Sequence, residues 1–513
     1  MLTVFFDAIA QCARHLRNAS AALVFLLVLP AAPAWATSFD LVLAGGRVID
    51  PETGYDRIAN VGILEGRIAA VTAEPLSGKE LVDVTGLVVA PGFIDLHSHA
   101  LTPLGQRYQM QDGVTTALEL EAGAYPVSAL DSLFPEGARI NYGASVGHFA
   151  VRQQVMEGIR RPFIFSRPEP LADVAGNQAA PGAAATIVAD DDQLARISAG
   201  LRDGLASGGL GIGLLLDYVD TAVAEAELQA VFAAAADFGA PVFVHLRRGP
   251  PGDDSGLREV ITAAEKSGAA LHVCHLNSSA MKGVGRFLEL MVEARSRGVD
   301  ITTEAYPYNA GSTLISAAVF GRDWQSVFDI DYGDIEWAAT GERLTPDSFA
   351  RYRREQPEGQ VIHHFGRENW TREALLASGV SVASDAMPLM REEDRVHPRG
   401  IGSFARFLRR YALAPEDGDG LNLVTALAKV TLYPAQRLES FAPVFARKGR
   451  LRVGFDADIV VFSPQLTDRA SYVQPQQASQ GVEYLLVNGS LVIRNGYIEE
   501  AAFPGIPLLS GTI

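Results

Sequence analysis

Nine short apolar runs, most of them followed by a stretch with helical character, occupy the middle of the chain. They are Phe93 to His97, Thr115 to Glu121, Ile140 to Val146, Gly211 to Leu216, Pro241 to His245, Leu271 to His275, Ile301 to Tyr306, Val361 to Phe365 and Val380 to Ser384. Such alternation narrows the architecture sharply, because strands joined by helical crossovers lie parallel and need helices on their faces. At this length the α/β sheet is expected to close into a TIM-like (β/α)8 barrel. Nine candidates compete for eight places. Val361 to Phe365 is expected to fall outside, since it follows the polar, aromatic-containing segment 312–360, which reads as an insertion able to cover a site as a lid.

The two chain ends have a different texture. Residues 39–90 alternate short β-rich runs with turns, and a matching set returns at Ala457 to Phe462, Gly481 to Val487, a turn at Asn488-Gly489, and Leu491 to Arg494. Both read as pieces of one small β-sandwich. The expected organisation is a signal peptide at 1–36, sandwich at 37–90, barrel at 91–437 and sandwich again at 438–513. The alanine- and glycine-rich stretch 171–187 reads as a loop, and no internal repeat is visible.

Composition sets the outer limits. The chain has 513 residues, 48% of them apolar, enough for one large domain and one smaller one. Its formal charge of -17 opposes nucleic acid and anionic membrane surfaces as partners, both of which reward clustered Lys and Arg. Near the start, Arg14 and Arg17 precede an apolar run from Ala21 to Leu29 and then Ala34-Trp35-Ala36. This is the pattern of a cleaved export signal, and the run is too short for a stable membrane span, so a periplasmic or secreted protein is expected. Cleavage removes Cys12 and leaves Cys274 alone, so no intrachain disulfide is expected. The size is compatible with a homo-oligomer.

Chemistry concentrates where the strand candidates end. In Phe93-Ile94-Asp95-Leu96-His97-Ser98-His99 the two histidines are two residues apart. Positions i and i+2 share a face on a strand but diverge by about 200° on a helix. The pair therefore presents two imidazoles to one ion. His245 and His275 each close an apolar strand, at the carboxyl end where barrels build active sites. Asp385 ends Val380-Ser381-Val382-Ala383-Ser384, where a carboxylate is costly unless it is paired or bound to metal; ligation combined with proton transfer is its natural role. A shared anionic ligand is offered by Glu119 and Glu121 on Thr115 to Glu121, and Glu121 lies nearer the strand end. Imidazoles dominate the set, so zinc is the expected ion, one or two in number. Cys274, by strand alternation, is expected to point away as a small apolar residue. His148 and the pair His363-His364 form a second tier.

The ordered set Pro91 to His99, Asp112-Gly113-Val114-Thr115-Thr116, His245-Leu246-Arg247, Tyr306 to Thr313, Ser384-Asp385 and His397-Pro398-Arg399 resembles the amidohydrolase superfamily. Within it the chain resembles the N-acyl-D-amino-acid deacylase group, which takes in D-aminoacylases and D-glutamate deacylases, over nearly all of residues 39–495. The resemblance implies His97 and His99 as a first metal pair, His245 and His275 as a second, and Asp385 as the catalytic aspartate. It places Tyr306, Arg399 and Tyr218 near the substrate, with Arg247 or Arg248 as further sources of positive charge. Two departures stand out. Relatives often carry a metal-binding cysteine at the position of Ala122, beside Glu121, and some carry a substrate-binding lysine where this chain has Asn277.

These readings converge on amide hydrolysis of N-acyl-D-amino acids, N-acyl-D-glutamate among them, by metal-activated water, with Asp385 as general base and then general acid. The rivals are a cyclic-amide hydrolase, an isoaspartyl-type dipeptidase and, in another class, an exported binding protein without turnover.

Overall fold

The computed structural model describes residues 38–164, 182–415 and 418–511. The segment 1–36, read as an export signal, and most of the stretch 171–187, read as a loop, lie outside those residues. At the end of the latter, Ala183–Thr186 forms one turn of helix rather than loop.

Eight parallel strands make the central sheet: β1 (Phe93–Asp95), β2 (Val114–Ala124), β3 (Asn141–Gly147), β4 (Ile212–Leu215), β5 (Pro241–His245), β6 (Ala270–Val273), β7 (Ile301–Ala305) and β8 (Val380–Val382). They neighbour one another in chain order. The seam between β1 and β8 is closed just past the strand ends, where Asp385 N–H donates to the His97 carbonyl and His99 N–H to that of Ala386, each at 2.8 Å. Asp95 reinforces the seam: one carboxylate oxygen accepts the backbone N–H of both His97 (3.2 Å) and Ser384 (3.0 Å). Burial pushes its pKa up to about 6 in spite of these donors.

The barrel forms because apolar residues recur at the spacing each element needs. In the helix Glu225–Phe238, Leu228, Val231, Phe232 and Ala235 share one buried face, and Gly239 ends the helix in the left-handed conformation (φ 66°). Removing a side chain such as Phe232 from water contributes about 1.5–3 kcal/mol. Val361 to Phe365 is indeed excluded from the barrel. Its core, Gln360–His363, pairs antiparallel with Gly311–Leu314 and Ile335–Trp337 in a separate four-stranded sheet. The segment 312–360 is less polar than its sequence suggests, because it folds around its own apolar cluster, in which Trp324 and Phe349 stack 5.6 Å apart.

The chain ends meet in a nine-stranded sheet. Val88–Pro91 joins the two parts by pairing parallel with Phe39–Asp50 and antiparallel with Ile459–Thr467. The sandwich core draws Leu43, Val48 and Val61 from the first part and Ile459, Val461 and Leu486 from the last. Gly92 then carries the chain into β1 past Thr115, so closely that a Cβ on it would lie 2.2 Å from that side chain. Among the described residues no helix is long and apolar enough to cross a membrane.

Candidate metal centre

Glu121 owes its position to an irregularity in β2. Opposite β3 the register runs from Glu119 beside Ala144 to Ala124 beside Val146, so β2 accommodates extra residues there. Gly123 makes the bulge feasible: it sits at φ 66°, and a Cβ there would lie 2.5 Å from the backbone nitrogen of Gly147. The bulge brings the Glu121 carboxylate among four imidazoles. One oxygen is 2.8 Å from both His245 Nδ1 and His275 Nε2, and the other is 3.3 Å from His97 Nε2 and 3.5 Å from His99 Nε2. Glu119 stands behind His99, at 2.9 Å from its outer Nδ1. Asp385 completes the ring, 3.5 Å from the Nε2 atoms of His97 and His99.

The donor set fits divalent metal ions. His97, His99 and Glu121 bring their ligand atoms within 4.8 Å of one another, as do Glu121, His245 and His275. Within each group two ring nitrogens face each other, at 3.2 Å for His97 and His99 and 3.0 Å for His245 and His275. Two such nitrogens need a proton or a metal cation between them. The outer nitrogens agree: His97 Nδ1 meets Glu304 (3.0 Å), His99 Nδ1 meets Glu119 and His275 Nδ1 meets Ser279 Oγ (3.1 Å). Ionised carboxylates only accept, and the Ser279 hydroxyl donates to the Cys274 carbonyl. Each outer nitrogen therefore carries the hydrogen and each inner one presents a lone pair, the arrangement of metal-ligating histidines. His245 differs, since its outer Nε2 lies 2.7 Å from Arg248 Nη2, which only donates. As a ligand it would turn that N–H toward Asp217, 3.8 Å away.

Electrostatics point the same way. Burial opposes charge on His97 and His99, yet nearby carboxylates hold both well above the ordinary imidazole value, Glu121 and Asp385 acting on the first and Glu119 foremost on the second. Burial likewise opposes ionisation of Glu121, but His97, His245 and His275 keep its pKa well below the usual carboxylate range. The assembly is built around positive charge. His275 (φ 35°) and Asp385 (φ 50°) also hold left-handed backbone conformations that cost a non-glycine residue about 1–3 kcal/mol, a cost that concentrates at functional sites.

Most of these groups, His99, Glu121, His245, His275 and Asp385, line one narrow cavity. Arg399 lines it, with Nη2 2.8 Å from Asp385 and the guanidinium 4.7 Å above the Tyr306 ring. Arg399 Nε and the Tyr306 hydroxyl are buried and make no hydrogen bond among the described residues. Tyr218 lines the wall, its hydroxyl 2.8 Å from Thr313 Oγ1 and its ring edge-on to His245. Arg247, expected here, is a correction: it faces outward to Glu259 (3.0 Å) and the Val223 carbonyl, while the next residue, Arg248, turns inward. Arg248 pairs with Asp217 (3.0 Å) and reaches Ser278 Oγ at 3.2 Å. Asn277 is not on the wall; its amide donates to the Tyr306 carbonyl.

Cys274 packs as the small apolar residue expected, in a cluster with Leu96, Leu118 and Phe243, but the direction expected of it is a second correction. The regular strand ends at Val273, so alternation does not extend to it, and its sulfur lies within 4.8 Å of His97 and Glu304 ligand atoms. His363 reaches the cavity wall from the end of the strand Gln360–His363, whereas His364 meets Glu336 (3.0 Å) and His148 meets Glu227 (2.7 Å). Glu304, Asp217 and Ser278 were not singled out from the sequence. Glu304 had a signal, a carboxylate late in a barrel strand, as Glu121 is.

A model of the amidohydrolase family matches residues 80–493, and the chain belongs to that family. It is 28% identical to a D-aminoacylase of Alcaligenes xylosoxydans xylosoxydans, over 91% of this chain and 96% of that one. It is 30% identical to an N-acyl-D-glutamate deacylase of the same organism, over 88% and 93%. Its fold is similar to the crystal structure of N-acyl-D-glutamate deacylase from Bordetella bronchiseptica complexed with zinc and a phosphonate mimic of the reaction's tetrahedral intermediate. That likeness has a TM-score of 0.73 at 26% identity and covers 92% of this chain and all of the other (100%).

Proposed function

We propose that this chain is a zinc-dependent hydrolase that cleaves the amide bond of N-acyl-D-amino acids. The observation that carries this reading is the single Glu121 carboxylate in contact with four imidazoles at the floor of a cavity whose wall holds Arg399 and Asp385. His97, His99, Glu121, His245 and His275, with Asp385, would hold one or two ions. When bound, the ion polarises the scissile carbonyl and lowers the pKa of water from about 15.7 toward about 7.

The chain's own residues do the rest. Arg399, on the cavity wall with a buried Nε that has no partner among the described residues, would receive the substrate carboxylate, and the Tyr306 ring beneath its guanidinium would hold it in place. Asp385 takes a proton from the attacking water and delivers it to the leaving amine nitrogen. Arg399 and His97 outweigh burial and keep Asp385 ionised, ready to accept that proton. Phe328 and Val319 of the insertion and Met387 narrow the cavity and limit water.

Export to the periplasm or the medium belongs to the same proposal, supported by the pattern of residues 1–36, and sequencing the mature N-terminus tests it. For the activity the test is a panel of N-acetyl-D-amino acids, their L-forms, cyclic imides and β-aspartyl dipeptides. Turnover confined to the first group supports the proposal. Preference for cyclic imides or β-aspartyl dipeptides reassigns the enzyme within its family.

A further inference from the structure

A buried carboxylate that does not reach the cavity ties the two ligand groups together. Glu304, on β7, is 1% exposed. One of its oxygens accepts His97 Nδ1–H at 3.0 Å and the backbone N–H of His275 at 2.7 Å; the other meets His272 Nε2. His272 in turn contacts Thr302 Oγ1 through Nδ1 at 2.7 Å. Arg437 reaches the same hydroxyl (3.4 Å) and forms a two-pronged pair with Asp300 (2.8 and 2.7 Å), ahead of the first residue of β7. The hydrogen-bonded line thus runs from the centre through the barrel to its opposite mouth.

We infer that Glu304 is a positioning residue that aligns one imidazole of each ligand group, His97 through its ring and His275 through its backbone, and that His272 locks Glu304 in place. The inference rests on the metal-dependent reading above. Three features carry it. An ionised carboxylate only accepts, so Glu304 fixes the hydrogen of His97 on Nδ1 and leaves Nε2 free for a cation. His275 lies at φ 35°, an unfavourable conformation for a side chain-bearing residue, and the bond to Glu304 holds its N–H there. Glu304 and His272 are absent from the cavity wall, so neither touches substrate. A carboxylate buried only to join β6 and β7 would need neither ligand residue.

The test is Zn2+ affinity, measured by competition with a fluorescent chelator on the full chain stripped of metal, for wild type, Glu304→Gln and His272→Asn. Glu304→Gln should weaken Zn2+ binding by roughly 10- to 100-fold and shift the visible absorption of the Co2+-loaded protein. His272→Asn, which leaves Glu304 in place but unpinned, should weaken it by a smaller factor. Wild-type affinity and an unchanged Co2+ spectrum in Glu304→Gln overturn the inference, even if its melting temperature falls. Should that variant not fold, the same two readouts on His272→Asn decide. If wild type binds Zn2+ but cleaves no N-acyl-D-amino acid, the substrate reading fails while the role of Glu304 is judged separately by the affinities.

Discussion

Nη2 of Arg399 lies 2.8 Å from Oδ1 of Asp385, with both side chains almost wholly withdrawn from water. The pair joins the residue suited to hold a substrate carboxylate to the residue suited to move the proton, so binding and chemistry share one contact. Replacing Arg399 by Lys keeps a charge but loses the planar fork. The kcat/KM of Arg399→Lys should fall about 10- to 100-fold, the range for a lost charge-assisted hydrogen bond. Steady-state kinetics check this, and the gap should narrow for an N-acyl amino amide, which lacks the carboxylate.

Asp385→Asn preserves the shape of the side chain and removes the proton acceptor. Its kcat should drop by roughly 10²- to 10⁴-fold, with zinc still bound. Elemental analysis alongside single-turnover kinetics separates loss of chemistry from loss of metal.

Glu121 touches both ligand groups, so Glu121→Ala should deplete zinc from each of them. Glu119→Ala, which removes the outer partner of His99 and an acceptor for the Ala122 N–H but no ligand atom, should lower affinity less than Glu121→Ala does. Metal titration of the two folded variants gives the order.

Arg247 and Arg248 are adjacent but opposite in role. Arg247→Ala should change kcat/KM less than about threefold, since its partners, Glu259 and the Val223 carbonyl, lie outside the cavity. Arg248→Ala should raise KM clearly, because it removes a guanidinium from the cavity wall. Parallel kinetics on the two variants check the distinction.

Lys429 is buried and donates to the Val380 carbonyl (2.8 Å) at the start of β8, the strand that leads to Asp385. Burial lowers its pKa to about 8. Between that value and the unfolded value near 10.4 the unfolded chain binds more protons than the native one, so stability rises with pH through this window and is lost again as pH falls toward 8. The contribution is on the order of 3 kcal/mol. Denaturant unfolding from pH 7.5 to 10.5 should show the rise in wild type and a flatter profile in Lys429→Met.

Much of this is legible in the sequence. Apolar runs ending in His97, His99, His245, His275 and Asp385 announced both the barrel and its catalytic face, because strand ends of a parallel sheet converge at one mouth. The competing ninth run was recognisable by the insertion ahead of it, though that segment is apolar enough to form a core of its own. What escaped was conformation beyond the strands. Alternation does not say that β6 stops before Cys274, nor which of Arg247 and Arg248 turns inward past His245. Nor does it show that extra residues in β2 aim Glu121 at all four imidazoles. Glu304 needed the His275 backbone to be located before its role could be read.

The central claim is that these ligands serve an ion required for hydrolysis of D-configured N-acyl amino acids. Its most direct measurement is the turnover of N-acetyl-D- and N-acetyl-L-amino acids by the chelator-stripped protein before and after graded addition of Zn2+. The account predicts no turnover when stripped, recovery in step with bound zinc, and strong preference for the D-form. Full activity without metal, or preference for the L-form, would contradict it.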